Sequence, residues 1–382
     1  MDQRQKRLAD EFTLQPDLIY LNHAAVAPWP QRTRQAVEFF ARENAVEGAR
    51  NYPRWLKTEE QLRMRLAMLI NAPAATDIAL LKNTSEGLSV IAYGLDWSRG
   101  DNIVSSDEEF PSNRIVWESL SGKGVELRKA QLGEGATPED ALIAQMDRNT
   151  RMLAVSSVQY ASGLRLDLKR LGEHCRARGI LFCVDAIQSV GAIATDVQAD
   201  LIDFLVADGH KWMLGPEGVA LFYCRPELRD RLRLYQYGWH MVEEYLDYDR
   251  ADWQIAETAR RFECGSPNML GIHALNASLS LLLEYGMEQV EYQLLESSRF
   301  LQQAISQQEQ YELLSPRTEG RFAGITTFRH LTCPPEQLFL YLAQGGVVCA
   351  RRGGGVRLSP HFYTSKAALQ KLVMMIGDFP GR

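Results

Sequence analysis

Residues 206–218 read VADGHKWMLGPEG, and the meaning of this stretch decides the fold. An apolar run ends at Ala207, the chain turns through Asp208, Gly209 and His210, Lys211 follows, and Gly215-Pro216 turns it again. Glycine and proline at this spacing mark a turn that closes a buried strand. A lysine in such a turn is either a solvated bystander or a held nucleophile. The second role needs a neutral amine near pH 7, and so a pKa depressed by desolvation or by neighbouring positive charge.

The surrounding chain shows what kind of strand this is. From about residue 77, β-rich runs alternate with amphipathic ones: DIALLKNT, NIVSSDEEF, VELRKAQL, RMLAVSSVQ and ILFCVDA read as strands, with SEGLSVIAYGL, SNRIVWESLSG, TPEDALIAQM and LKRLGEHCRARG between them as helices. Strict alternation implies parallel strands joined by right-handed crossovers, hence a doubly wound α/β domain. GVALFYCR follows Lys211 so closely that it reads as an antiparallel addition. Beyond residue 270 the texture changes to long helices, GIHALNASLSLLLEYG and QVEYQLLESSRFLQQAISQQ, and then to a short β and helix unit. The expected division is a large α/β domain over residues 20–265 and a smaller α+β domain formed by 1–19 and 266–382, since 382 residues exceed what one core organises.

Composition removes several function classes. Lys+Arg 42 against Asp+Glu 48 gives a net charge of −6 with the basic residues scattered, so no nucleic-acid partner is expected. MDQRQKRLADEF lacks an apolar core and GILFCV is too short to span a bilayer, which leaves a cytoplasmic protein with no membrane association as the expectation. The six cysteines, at 175, 183, 224, 264, 333 and 349, form no Cys-x-x-Cys pair and no metal-ligand rhythm with the seven histidines. They read as reduced structural thiols with no metal.

Ligands of doubly wound sheets sit beyond the carboxyl ends of the strands, so the residues after each apolar run are the candidates. Asp185 follows ILFCV. A buried carboxylate there requires either an arginine partner or a cationic one such as the pyridinium nitrogen of a cofactor. Gln188, three positions on, can bring an amide to the same ring. In KNTSEGL, Asn83 or Thr84 caps a helix, with Glu86 placed to close the box; the first amides and the Thr84 and Ser85 hydroxyls then form a ready phosphate site. Phe110 ends NIVSSDEEF and either fills the core or lays its face on a planar ring.

Taken in order, Thr-Ser-Glu, an aromatic residue, Asp-x-x-Gln and His-Lys resemble the class V aminotransferase family of fold-type I pyridoxal phosphate enzymes. That family includes cysteine desulfurases, kynureninases and isopenicillin N epimerase-like proteins. The resemblance runs from IYLNHAAVAP at residue 19 to RLSPHFYTS near the C-terminus. It implies a mostly parallel seven-stranded sheet between helices and a pyridoxal 5'-phosphate cofactor. Lys211 would form the Schiff base, Asp185 would partner the pyridine nitrogen, Gln188 would lie near the ring hydroxyl, and Phe110 would stack. Thr84, Ser85 and His210 would hold the phosphate. FECGSPN resembles a loop that crosses a homodimer interface, which would bring Ser266 to the neighbouring subunit's cofactor. Arg357 in GGVRLSPHFY matches an arginine that grips the substrate carboxylate, with Asn22 also on the substrate side.

Two departures sharpen the expectation. Asp208 stands where many relatives carry Ser or Thr, and a carboxylate aimed at a phosphate would repel it. A desulfurase needs a thiol on a swinging loop, and only Cys349 lies near, on a short run before Arg357. The chain therefore reads as closer to epimerase- and kynureninase-like members than to desulfurases. An aminotransferase acting on the Cα amino group is the leading expectation. A Cβ lyase or epimerase comes next, a desulfurase ranks lower, and a catalytically silent cofactor-binding protein ranks last. His23, Arg54, Trp212 and His361 complete the substrate-side candidates, each equally readable as core or surface.

Overall fold

The computed structural model describes Leu8 and residues 10–381. A short strand β1 (Ile19–Tyr20) precedes two helices, Gln31–Glu47 and Tyr52–Leu69. The sheet strands follow: β2 (Ile78–Leu81), β3 (Asn102–Ser106), β4 (Glu126–Ala130), β5 (Thr150–Ser156), β6 (Leu181–Asp185), β7 (Phe204–Asp208) and β8 (Ala220–Cys224). They form one seven-stranded sheet in the order β2-β8-β7-β6-β5-β3-β4. β8 is antiparallel to both β7 and β2, and every other pairing is parallel. The antiparallel strand follows from the short 209–219 connection, which has no room for a crossover helix. The mostly parallel seven-stranded sheet expected from the sequence is what the chain adopts.

The apolar runs of β5 to β8 are buried on both faces, as parallel strands covered by helices require. Consecutive residues feed opposite cores: Phe182, Val184, Leu205 and Ala207 enter one, while Leu181, Cys183, Phe204 and Val206 enter the other. At the edge, β4 exposes Glu126 and Lys129, charges that blunt further strand addition.

A second, antiparallel sheet has the order β12-β13-β10-β9, built from β9 (Tyr311–Leu313), β10 (Thr326–His330), β12 (Ala350–Arg352) and β13 (Gly355–Leu358). The intervening β11 (Val347–Val348) pairs in parallel with β1. These elements share a separate core with the helices Pro335–Gln344 and Lys366–Gly377.

The helix Met269–Tyr285 buries Ile272, Leu275, Leu279 and Leu282 in the large core beside Leu62 and Leu66. That helix is apolar around most of its surface, so it is enclosed on several sides and belongs with the sheet. Ile19 and Leu21 both lie in the small core.

One glycine fixes the backbone beneath the candidate site. Gly191 has φ of 91°, and a Cβ there would lie 2.5 Å from the Trp212 carbonyl oxygen. Gly191→Ala is expected to cost about 2 kcal/mol, from left-handed strain and the forced shift of Trp212, read by urea denaturation.

Candidate active site

The carboxyl ends of the parallel strands carry several of the side chains that the sequence singles out. β6 ends at Asp185, in register with Ser156 at the end of β5, and β7 ends at Asp208, two residues before His210. Asp185 is buried, accepts a 3.0 Å hydrogen bond from the Ile187 amide, and has no cation within ion-pair distance among the described residues. Burial pushes its pKa up; the Ile187 hydrogen bond opposes this and the nearby Glu109 charge adds to it. Lys211 is buried too, and burial drives its amine pKa well below the usual lysine value, with Asp185 opposing and Arg357 reinforcing the shift. A carboxyl pushed up and an amine pushed down in one place is the pattern of a functional site.

Lys211 Nζ stands 5.7 Å from the centre of the Phe110 ring. Phe110 is 40% exposed, so the core alternative for it does not hold. Tyr160 braces its ring edge-on at 5.2 Å, and the Tyr160 carbonyl accepts a 2.6 Å hydrogen bond from Arg357 Nη1. Arg357 is 2% exposed, lacks any carboxylate partner among the described residues, and keeps an unpaired Nε. Burial, helped by Arg352, holds its pKa down to about 10, so it remains a cation at neutral pH. A buried, uncompensated guanidinium calls for an anionic ligand.

Asn83 caps the helix Thr84–Gly94, its side chain accepting from the Glu86 amide at 2.9 Å. Glu86 reaches back to the Lys82 amide at 2.6 Å rather than to Asn83, one residue beyond the box expected from sequence. Thr84 Oγ1 is buried without a partner, whereas the exposed Ser85 donates to Ser112 Oγ at 2.9 Å. His210 Nδ1 lies 3.2 Å from Asp208 Oδ1 but without hydrogen-bonding geometry. Asp208 instead accepts from the Gly209 amide at 3.1 Å, so its carboxylate folds back on its own turn.

Gln188 is held at both ends: Nε2 donates to the Ala24 carbonyl at 3.0 Å and Oε1 accepts from Trp212 Nε1 at 2.8 Å. One amide hydrogen and one lone pair remain for a ligand. Trp212 is fully buried in a small core, so it orients Gln188 rather than shaping a pocket wall. His23 bonds the Ser359 carbonyl and the Tyr363 hydroxyl, while His361 bonds the Trp212 carbonyl and the Phe362 amide. Burial lowers both imidazole pKa values, that of His361 to about 4. Both are satisfied core residues, not substrate contacts. Arg54 pairs with Glu43 and lies over Phe39 at 5.3 Å, among the N-terminal helices. Asn22 keeps a buried, unpartnered Oδ1.

Ser266 is exposed and lines a cleft of about 450 Å³ with Lys82 and Glu86, next to the helix start just described. A larger cavity of about 810 Å³, walled by Tyr237, Trp239, Tyr245, Tyr248 and Trp253, contains none of the residues around Lys211. The fold also gathers Glu59, His240 and Glu263, with potential ligand atoms within 4.8 Å of one another. Arg63 donates to both carboxylates and already supplies the compensating charge there.

Comparison with known proteins gives this constellation its family. The chain matches the family described as Aminotransferase class-V over residues 19–372. It is 28% identical over 393 residues to a probable cysteine desulfurase of Methanothermobacter thermautotrophicus, covering 97% of each chain. It is 31% identical over 293 residues to a cysteine desulfurase of Pectobacterium carotovorum, covering 74% of this chain and 71% of the relative. An uncharacterized aminotransferase, YcbU, of Bacillus subtilis is 28% identical over 324 residues, at 85% and 84% coverage. Among solved structures, a lysine-to-alanine mutant of C-DES with glycine covalently linked to its pyridoxal phosphate cofactor superposes with a TM-score of 0.89 at 20% identity, covering 99% and 100% of the two chains. A complex of the cystine C-S lyase C-DES with cysteine persulfide gives 0.88 at 22% identity, covering 95% and 98%. At such identity these structures speak to the fold alone. The expected affinity to epimerase- and kynureninase-like members finds no support in these names. The family match over nearly the whole length, on a fold-type I framework, establishes that the chain belongs to the class V aminotransferase family of pyridoxal phosphate enzymes.

Proposed function

We propose that the chain is a pyridoxal phosphate enzyme that removes the Cα proton of an amino acid and expels a sulfur substituent from Cβ, a C–S lyase that uses no thiol of its own. The observation that carries this reading is Arg357, a buried cation with no carboxylate partner, within electrostatic reach of an amine of depressed pKa. The names of the relatives point to sulfur amino acids. Against persulfide formation stands Cys349: it is 7% exposed, packed in the small core between β11 and β12, and burial raises its thiol pKa to about 12. A nucleophilic thiol needs exposure and thiolate character, and Cys349 has neither.

The residues present fit the cofactor. The unpartnered Thr84 hydroxyl and the His210 ring suit a phosphate at a helix start, Asp185 suits a protonated ring nitrogen, Gln188 offers its free N–H beside it, and the exposed Phe110 ring suits stacking. When bound, the cofactor supplies an electron sink for the pair left at Cα. In this reading Arg357 fixes the substrate carboxylate bidentately, with Asn22 nearby, and Lys211 Nζ takes the Cα proton. The Cβ–S bond then breaks with its electron pair going to sulfur, and the released enamine hydrolyses to a keto acid and ammonia. Asp208, turned onto Gly209, does not oppose the phosphate. Ser266 would serve the neighbouring subunit of a homodimer. The six free cysteines among the described residues, and the lack there of a helix long and apolar enough to cross a membrane, accord with a cytoplasmic setting.

Transamination is the second reading, favoured by the Bacillus relative named as an aminotransferase. Incubating the holoenzyme with single sulfur amino acids and no keto acid separates the alternatives. Continuous release of sulfide or persulfide with keto acid is expected. A single stoichiometric conversion of the cofactor to its amine form would support transamination instead. Cys349→Ala is expected to keep at least about half the parent kcat/KM, since it removes one small buried group. A loss of several orders of magnitude, with persulfide found on Cys349 in the parent, would restore the desulfurase assignment.

The amine of Lys211 also predicts a pH dependence. Only the neutral form captures the cofactor, and burial lowers the folded pKa, so capture by the apoprotein rises with pH through a midpoint well below the ordinary lysine value near 10.4. Rapid mixing of apoprotein with pyridoxal phosphate across pH 6 to 10 measures it.

A further inference from the structure

Glu109 immediately precedes Phe110 and is 6% exposed. No described cation lies within ion-pair distance of it. Its carboxylate is instead enclosed by donors: Oε1 accepts from Ser106 Oγ at 2.9 Å, the Ser156 amide at 2.9 Å and Gln159 Nε2 at 3.1 Å, and Oε2 from Asn113 Nδ2 at 2.8 Å and Ser156 Oγ at 2.5 Å. Five donors on one side chain need an acceptor-only group, which a carboxylate is and a carboxamide is not. The donors come from four segments: the end of β3, the end of β5, the helix Ser112–Glu118 and the loop after β5.

Each segment leads to the candidate site. Ser156 is the register partner of Asp185. Gln159 precedes Tyr160, whose ring braces Phe110 and whose carbonyl holds Arg357. Phe110 itself faces Lys211. One carboxylate therefore ties together the stacking ring, the strand of the ring-nitrogen partner and the anchor of the carboxylate clamp.

We propose that Glu109 is a positioning residue that sets Phe110 and Arg357 together and places a second buried negative charge at the Asp185 end of the cofactor. This rests on the cofactor reading above. The charge favours protonated forms of its cationic neighbours, so it raises the pH at which the bound cofactor loses its proton. Burial apart, Glu109 is the largest of the nearby charges acting on Asp185.

The test uses holoenzyme and a readout separate from turnover: the pH midpoint of the bound cofactor's absorbance change, with cofactor affinity measured alongside. E109Q is expected to lower the midpoint by about one pH unit, the effect of removing one charge at a partly screened distance. It should also weaken cofactor binding by roughly ten-fold. E109D keeps the charge but retracts it by one methylene, so its midpoint should stay with the parent while affinity falls. Gln159→Met leaves the charge and cuts only the tie to Tyr160; the KM for the amino acid should rise by about ten-fold at an unchanged midpoint. If E109Q does not fold, E109D and Gln159→Met decide. A parent-like midpoint in E109Q, or, where E109Q does not fold, parent-like cofactor affinity in E109D together with a parent-like KM in Gln159→Met, would reduce Glu109 to a structural residue and overturn the proposal. A parent without a cofactor band sinks the cofactor reading itself, and this inference with it.

Discussion

Lys211→Ala is expected to lose kcat by about 10²- to 10⁴-fold, the range for removal of a positioned general base. Two functions fall together in the proposed reading, in which Lys211 both anchors the cofactor and carries the proton at Cα. The fold should survive the change. The Lys211 side chain makes no ion pair or hydrogen bond among the described residues, and its ammonium is costly to bury, so its removal relieves desolvation. An equal or slightly raised melting temperature with collapsed turnover separates a catalytic role from a structural one. Retention of a tenth or more of the parent kcat would place the chemistry on another group.

Arg357 carries the second large effect. Its planar fork suits a substrate carboxylate, and truncation removes charge-assisted hydrogen bonds worth about 3 kcal/mol, or roughly a 10²-fold loss in kcat/KM. Arg357→Lys keeps the charge but loses the paired geometry, so recovery should be partial. Both variants should still bind the cofactor and show its absorption band, because Arg357 contacts Tyr160 and not the residues assigned to phosphate or ring nitrogen. Steady-state kinetics on one amino acid, with the absorption spectrum of each variant, checks this. Loss of the cofactor band in Arg357→Ala would move the residue to cofactor binding.

The sheet is legible in the sequence because its strands are continuous apolar runs ended by turn residues, and both faces of β5 to β8 are covered. The helices Gln31–Glu47 and Tyr52–Leu69 are not. Buried glutamates interrupt their inner faces, Glu43 in the first and Glu59 in the second, so the 3.6-residue apolar pattern is broken where tertiary ion pairs replace it.

Asp185, Lys211 and the NTSEG helix start can be found because strand ends are where such sheets hold ligands. What those side chains touch is not readable. Gln188 is held by Ala24 and Trp212, partners remote in sequence. Trp212 is adjacent to the lysine in sequence yet turns into the core against Gly324, where even a Cβ would meet its ring at 2.5 Å. Glu109 sits within a quoted stretch, NIVSSDEEF, but nothing local marks it off from Glu108. Its donors at Ser156 and Gln159 converge only once β3 and β5 pair.

The central claim is that Lys211 carries pyridoxal phosphate covalently, with Asp185 and Phe110 around the ring. Borohydride reduction of the purified holoprotein, followed by peptide mass spectrometry, tests it most directly. A phosphopyridoxyl group is expected on the peptide containing Lys211, absent after Lys211→Ala. Trapping on another lysine, or no trapping from a protein that retains its family's absorption band, would contradict it.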